Sequence, residues 1–295
     1  MTSPRRDRAA SARVVIAAHN AAGFLAETLH SLVEQDTPDP FEVVVVASAC
    51  TDGTAGIARG FADRLRVNVV ATARAGGNVA RNLGAAQAGA PPHLLFLDHD
   101  DCPEPGWVRH LLATLQRADV ALGRYRVDRL NSANTLALRG PVDFADAPTE
   151  YDPSTLTGRG GNSAYRTTAW RQLGGLDEHH HHVDDVEILW RAHDLGMTIE
   201  FATDAEVQYR LRPTAFAYFE QYVNRYIGWA HLHRLYPARV PRRRLRHALR
   251  QWAWVLAHLP RAFSKDPATK GSWVRPAARI VGSVRGSLRY RTLFL

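Results

Sequence analysis

Residues 42–54 read EVVVVASACTDGT. Four consecutive valines without a polar interruption suit a strand covered on both faces, the situation inside a parallel sheet. The run ends at Ala47-Ser48, and Thr51-Asp52-Gly53-Thr54 then supplies capping groups for a helix carrying Ile57, Phe61 and Leu65 on one face. The same strand–turn–helix unit recurs on either side. Upstream, Val14–Ala18 precedes His19-Asn20 and a helical stripe of Leu25, Leu29 and Leu32. Downstream, Val67–Ala71 passes through Gly76-Gly77 into a helix with Val79, Leu83 and Ala86. His93–Leu97 ends in Asp98-His99-Asp100-Asp101, and Pro105 opens a helix lined by Val108, Leu111, Leu112 and Leu115. This alternation predicts an α/β fold whose mostly parallel sheet is flanked by helices.

In such sheets ligands sit outside the carboxyl ends of the strands, so His19, Asn20, Ser48, Asp52, Asp98 and Asp100 are the first residues to consider. Beyond them, Val120–Val127 reads as a strand and Asp128–Pro153 as a polar loop or small hairpin. Gly158–Tyr165 reads as a flexible Gly-rich segment, and Asp184–Leu195 as a helix closed by Gly196. From Phe216 the chain becomes helical, aromatic and basic. The length of 295 residues is enough for one large domain or two ordinary ones. The organisation expected is a leader over 1–12, an α/β domain over 13–212 and a helical region over 213–295.

Composition removes several classes. At 45% hydrophobic the chain is not disordered throughout. No uncharged apolar run approaches the ~20 residues that span a bilayer, and the N-terminus lacks the apolar core of a secretory signal. Two cysteines, Cys50 and Cys102, make no disulfide scaffold and suit a reduced, cytoplasmic chain. Charge is uneven: Ala205–Leu295 has 18 Lys+Arg against 3 Asp+Glu, and residues 1–204 have 19 against 26. An acidic body carries a basic tail. Within that tail, Leu245, Leu249, Trp252 and Leu256 share one helical face among arginines. Trp273, Ile280, Val284 and Leu288 repeat the theme. Two readings stay open: peripheral contact with an anionic membrane, or apolar faces packed on the protein with solvated arginines. Nucleic acid is not the expected partner.

Three polar clusters carry chemistry. Carboxylates Asp98, Asp100 and Asp101 at a strand end repel one another unless solvated or bound to a hard cation such as Mg²⁺ or Mn²⁺; an acidic turn capping the next helix is the alternative. Asp184-Asp185 at a helix start is either a cap or a place for a base that takes a proton from a hydroxyl. His179–His182 reads as a mobile, solvated loop beside Asp184.

In this order the stretches resemble the family 2 glycosyltransferases, which have the GT-A fold. VVIAAHN (14–20), VVASACTDGT (45–54), GNVARNLG (77–84) and LFLDHDD (95–101) are similar to that family's N-terminal motifs. Gly161-Asn162, GGLDE (174–178) and DDVEILWR (184–191) are similar to its later ones. The resemblance implies an inverting, metal-dependent transfer of one sugar from a nucleotide-sugar donor to an acceptor hydroxyl. His19, Asn20, Ser48 and Asp52 would line the nucleotide pocket, with Arg81 and Asn82 near the diphosphate. Asp98 and Asp100 would hold ribose and Mg²⁺ or Mn²⁺. Asp185 would be the base with Asp184 beside it, while Gly161, Asn162, Trp190 and Arg191 would serve the acceptor or support the base-bearing helix. Departures are Ala47-Ser48 in place of acidic residues, Asp184 in place of Glu, and Val207-Gln208-Tyr209-Arg210 where a metal-assisting His is common. A Gln-x-x-Arg-Trp motif is missing, which favours transfer of single sugars. The alternatives are a non-catalytic sugar-nucleotide or anionic-surface binding module and a sugar-phosphate nucleotidyltransferase.

Overall fold

The computed structural model describes residues 9–140, 160–180, 182–241 and 245–294. Its described residues fall into two compact units, one drawn from Met1–Arg126 and Phe144–Tyr209, the other from Val127–Asp143 and Arg210–Leu295.

In the first unit β1 (Ala12–Ala18), α1 (Leu25–Val33), β2 (Phe41–Ser48), α2 (Thr54–Arg59), β3 (Val67–Thr72), α3 (Gly77–Ala85) and β4 (His93–Asp98) alternate as the patterning predicts. β1 pairs in parallel with both β2 and β4, and β2 with β3. The valine run behaves as its composition requires: Val43 and Val45 enter one core with Val14, Ile16 and Leu97, while Val44 and Val46 face Ala80 on the other side. α2 is shorter than its apolar stripe suggested, and Phe61 and Leu65 are buried from the turns that follow it.

The sheet continues through β5 (Cys102–Pro103), α4 (Trp107–Leu115) and β6 (Val120–Arg126). In the second unit lies α5 (Ala133–Arg139), after which the first resumes with β7 (Asn162–Arg166), α6 (Thr167–Leu173), α7 (Asp184–Asp194) and β8 (Ile199–Gln208). Strand order is β3-β2-β1-β4-β7-β6-β8-β5. β7 runs antiparallel to both β4 and β6, and β6 pairs in parallel with β8. The Gly-rich segment expected to be flexible is therefore ordered from Gly160 and buried across Gly161–Tyr165, because its backbone pairs on both sides. Residues 158 and 159 lie outside the described residues. The expected loop over 128–153 contains α5, capped by Ser132 Oγ accepting from Thr135 N–H at 3.2 Å, while 141–153 lie outside the described residues.

The second unit packs α5 with α8 (Ala215–Leu235), α9 (Leu245–Ala257) and α10 (Pro267–Tyr290), as the helical C-terminal pattern predicts. Leu138, Tyr218, Tyr222, Val223, Val274 and Ala278 form its core. Gly282 lets α8 and α10 approach closely: a Cβ there would stand 2.5 Å from Val223 O. Ile280 is buried, so the second apolar stripe is in part internal packing. Among the described residues no helix is long and apolar enough to cross a membrane.

Candidate active site

Strand register sets the site. Ala18 stands opposite Ala47, and Ala17 opposite Asp98, so β1, β2 and β4 end at one edge of the sheet. There the chain turns at Asn20 with φ of +48°, a left-handed conformation that asparagine tolerates. Its Oδ1 accepts the Thr51 N–H at 2.9 Å, and His19 Nδ1 donates to the Ser48 carbonyl at 2.8 Å. Both side chains remain exposed at the ends of the strands. Ser48 and Asp52 act differently. The Ser48 hydroxyl is buried and donates to Arg74 O at 2.7 Å. Asp52 accepts from Ala22 N–H at 3.0 Å and from Thr54 N–H at 3.1 Å, and takes a short bond from the Thr54 hydroxyl at 2.5 Å. Chiefly through that hydroxyl, its carboxyl lies below the usual range. These two residues hold the loops at the strand ends and use their own polar groups to do so.

At the β4 end, His99 Nδ1 donates to Ala17 O at 3.1 Å and Thr28 Oγ1 to His99 O at 2.9 Å, which pins the acidic turn to β1 and α1. Asp100 and Asp101 are buried. Asp98 Oδ1 takes the Arg81 guanidinium at 2.8 Å, and the same guanidinium stands 3.8 Å from Asp184 on α7. Burial works against the Arg81 charge, yet Asp98, Asp184 and Asp185 together raise its pKa above the ordinary value. Burial also pushes the Asp184 carboxyl up to about 6; Arg81 opposes this and the Asp185 charge adds to it.

The Gly160-Gly161 pair spans both acidic elements. Gly160 N–H donates to Asp185 Oδ2 at 3.2 Å, while a Cβ on Gly161 would fall 2.3 Å from Asp98 Oδ2. Only a residue without a side chain permits that approach. The structure thus brings Arg81, Asp98, Gly161, Asp184 and Asp185 together.

Three predicted residues serve as support. Asn162 is fully buried, accepting from Trp107 Nε1 at 2.8 Å and donating to Arg124 O at 2.9 Å, so it holds the sheet and has no face for an acceptor. Trp190 is buried on α7. Arg191 clamps Glu187 through two bonds of 2.8 Å and reaches the carbonyls of Leu173 and Gly175, fixing α7 to the end of α6. Asn82 lies behind Arg81, donating to Leu176 O at 2.8 Å and accepting from Leu176 N–H at 2.9 Å.

The histidine run departs from expectation: His180 is buried, with its pKa lowered by that burial, and Asn78 Nδ2 donates to its carbonyl at 2.7 Å. His181 lies outside the described residues. Sequence reasoning also passed over Asn78, Glu178 and Gly160, each inside or beside a recognised motif. Arg74, which pairs with Glu178, gave no local signal.

A family model for Glycosyl transferase family 2 matches residues 13–174. The chain belongs to that family. Validoxylamine A glucosyltransferase of Streptomyces hygroscopicus subsp. limoneus is 42% identical over 103 residues, 34% of this chain and 22% of that protein. The match to this relative thus spans about a fifth of its length. Glycosyltransferase AglE of Haloferax volcanii is 26% identical over 215 residues, 68% of this chain and 67% of that one. Among solved structures, mannosyltransferase PcManGT from Pyrobaculum calidifontis, in complex with GDP-Man and Mn²⁺, superposes with a TM-score of 0.61 at 19% identity, over 95% of this chain and 88% of its own. S. aureus TarS 1–349 with UDP-GlcNAc gives 0.56 at 18% identity, over 96% and 92%. The likeness to these solved structures shows the GT-A fold for this member of family 2.

Proposed function

We propose that this glycosyltransferase moves a single sugar from a nucleotide-sugar donor to an acceptor hydroxyl by one inverting displacement assisted by a divalent metal. The observation that carries the reading is the meeting of Asp98, Arg81 and the Asp184-Asp185 pair at one edge of the sheet. Asp185 takes the proton of the acceptor hydroxyl while that oxygen attacks the anomeric carbon and the bond to the diphosphate breaks. Arg81 is a fixed cation between the donor-side carboxylate and the base-bearing helix, placed to meet diphosphate charge. His19 and Asn20 face the nucleotide. Ala47 has no polar side chain and the Ser48 hydroxyl gives its proton to Arg74 O, so neither side chain donates a hydrogen bond to the base. UDP-GlcNAc and GDP-Man, the donors bound by the two solved neighbours, are the first to try.

The metal fits the residues in a particular way. Among the described residues no three His, Cys, Asp or Glu side chains converge as a cage. Asp98 and Asp100, two residues apart at the end of β4, would supply oxygen ligands only, of the kind that hold Mg²⁺ or Mn²⁺ together with substrate phosphates and water. Bound there, the ion would neutralise charge on the departing diphosphate. The basic C-terminal helices support work beside an anionic membrane surface.

The test is Asp185→Asn. Turnover should fall by roughly 10²–10⁴-fold, the usual worth of a general base. Nucleotide affinity by calorimetry should stay near wild type. Undiminished turnover would remove Asp185 from the role.

A further inference from the structure

One face of the C-terminal unit is left uncovered by its own core. α9 turns Ala248 inward, while Leu245, Leu249, Trp252 and Leu256 stay 61%, 60%, 42% and 68% exposed. Leu259 and Phe263, in the 3-10 turn Leu259–Phe263, continue the row at 45% and 80%. Alternating spacings of four and three residues put the α9 members on one helical face. The other side of α9 is fixed: Trp273 Nε1 donates to Val255 O at 2.9 Å and Gln251 Nε2 to Pro276 O at 3.3 Å, so α10 holds the helix with its apolar row outward. A row of six large apolar side chains marks an interaction surface.

Charge decides the occupant. Residues 221–265 contain ten Lys+Arg and no Asp or Glu. Arg246 and Arg250 directly follow Leu245 and Leu249 and lie beside the row, with Arg261 and Lys265 at its far end, all four exposed. A second copy of the chain would bring the same positive charge to the contact. α9, at 13 residues, is also too short for the several heptads of a lasting two-stranded coil. A surface that is apolar just beneath a plane of negative charge answers both features.

We propose that α9 and the 3-10 turn form a membrane-docking face, lying in the headgroup region of an anionic bilayer. The six apolar side chains enter the acyl boundary, and Arg246, Arg250, Arg261 and Lys265 meet lipid phosphates. The inference does not rest on the transfer mechanism, and it narrows the two basic stripes of the sequence to one.

Co-sedimentation of the full chain with phosphatidylcholine vesicles, with and without phosphatidylglycerol, tests it. Binding should require phosphatidylglycerol and weaken with salt. The double variant Leu249→Glu/Leu256→Glu should lose binding more than about tenfold. Arg246→Gln/Arg250→Gln should lose about fivefold per arginine. Both variants alter exposed side chains, so wild-type melting temperatures and unchanged donor hydrolysis in solution would show that fold and site are intact. Failure of the wild type to sediment with phosphatidylglycerol vesicles overturns the proposal, as does equal binding by the leucine variant. A wild-type dimer that the leucine variant dissociates, with no vesicle binding, would assign the face to a second copy instead.

Discussion

Arg81 organises the charges of the site. Its guanidinium bonds Asp98 at 2.8 Å and lies 3.8 Å from Asp184, linking residues far apart in the chain. Without that cation, half-buried Asp184 beside Asp185 would be harder still to ionise. Even with it, the Asp184 pKa rises from 3.8 to about 6, with burial as the leading cause. A carboxyl with a raised folded pKa holds its proton more tightly in the native state. Its contribution to stability is therefore complete below 3.8 and is lost as pH rises through about 6. Asp184→Asn, neutral at every pH, should gain stability relative to wild type between acidic and mildly alkaline buffer, by roughly 3 kcal/mol. Urea unfolding at the two pH values measures this, and a pH-independent difference would contradict it. The acidic clusters were legible in the sequence as residues. Their link through Arg81 was not, because a contact between α3 and α7 leaves no local pattern.

At the scale of elements, α7 presents the acidic pair because of how it begins. Val183, the residue before it, has φ of +56°. A β-branched side chain in the left-handed region is strained by about 1–2 kcal/mol, and such strain gathers where a turn must aim functional groups. Val183→Gly is expected to raise unfolding stability by about 1 kcal/mol. A destabilised variant would show that the Val183 side chain contributes more by packing than the backbone loses. Legibility among the elements followed burial. β2 was plain because both of its faces are covered, and α1 because Leu25, Leu29 and Leu32 recur on one stripe. β7 was missed because Asn162 and Ser163 are polar and its pairing partners are distant in sequence. α5 was missed because a helix of 7 residues has too little periodicity to stand out.

For the whole molecule, the net charge of +8 averages two unlike parts. The acidic part folds as the GT-A sheet and brings carboxylates to a single edge, where the Arg81 cation offsets part of their charge. The basic part forms the helices that follow, with α9 exposed. That α5 belongs with those helices was beyond reach of sequence reasoning, since assignment to a unit depends on contacts made more than seventy residues later. The central claim is a single displacement assisted by Asp185, and the stereochemistry of the product reports on it directly. With an α-linked nucleotide sugar that the protein turns over, in the presence of Mn²⁺, proton NMR of the first-formed sugar product should show the β anomer. A first-formed α anomer would contradict a one-step transfer and the role given to Asp185.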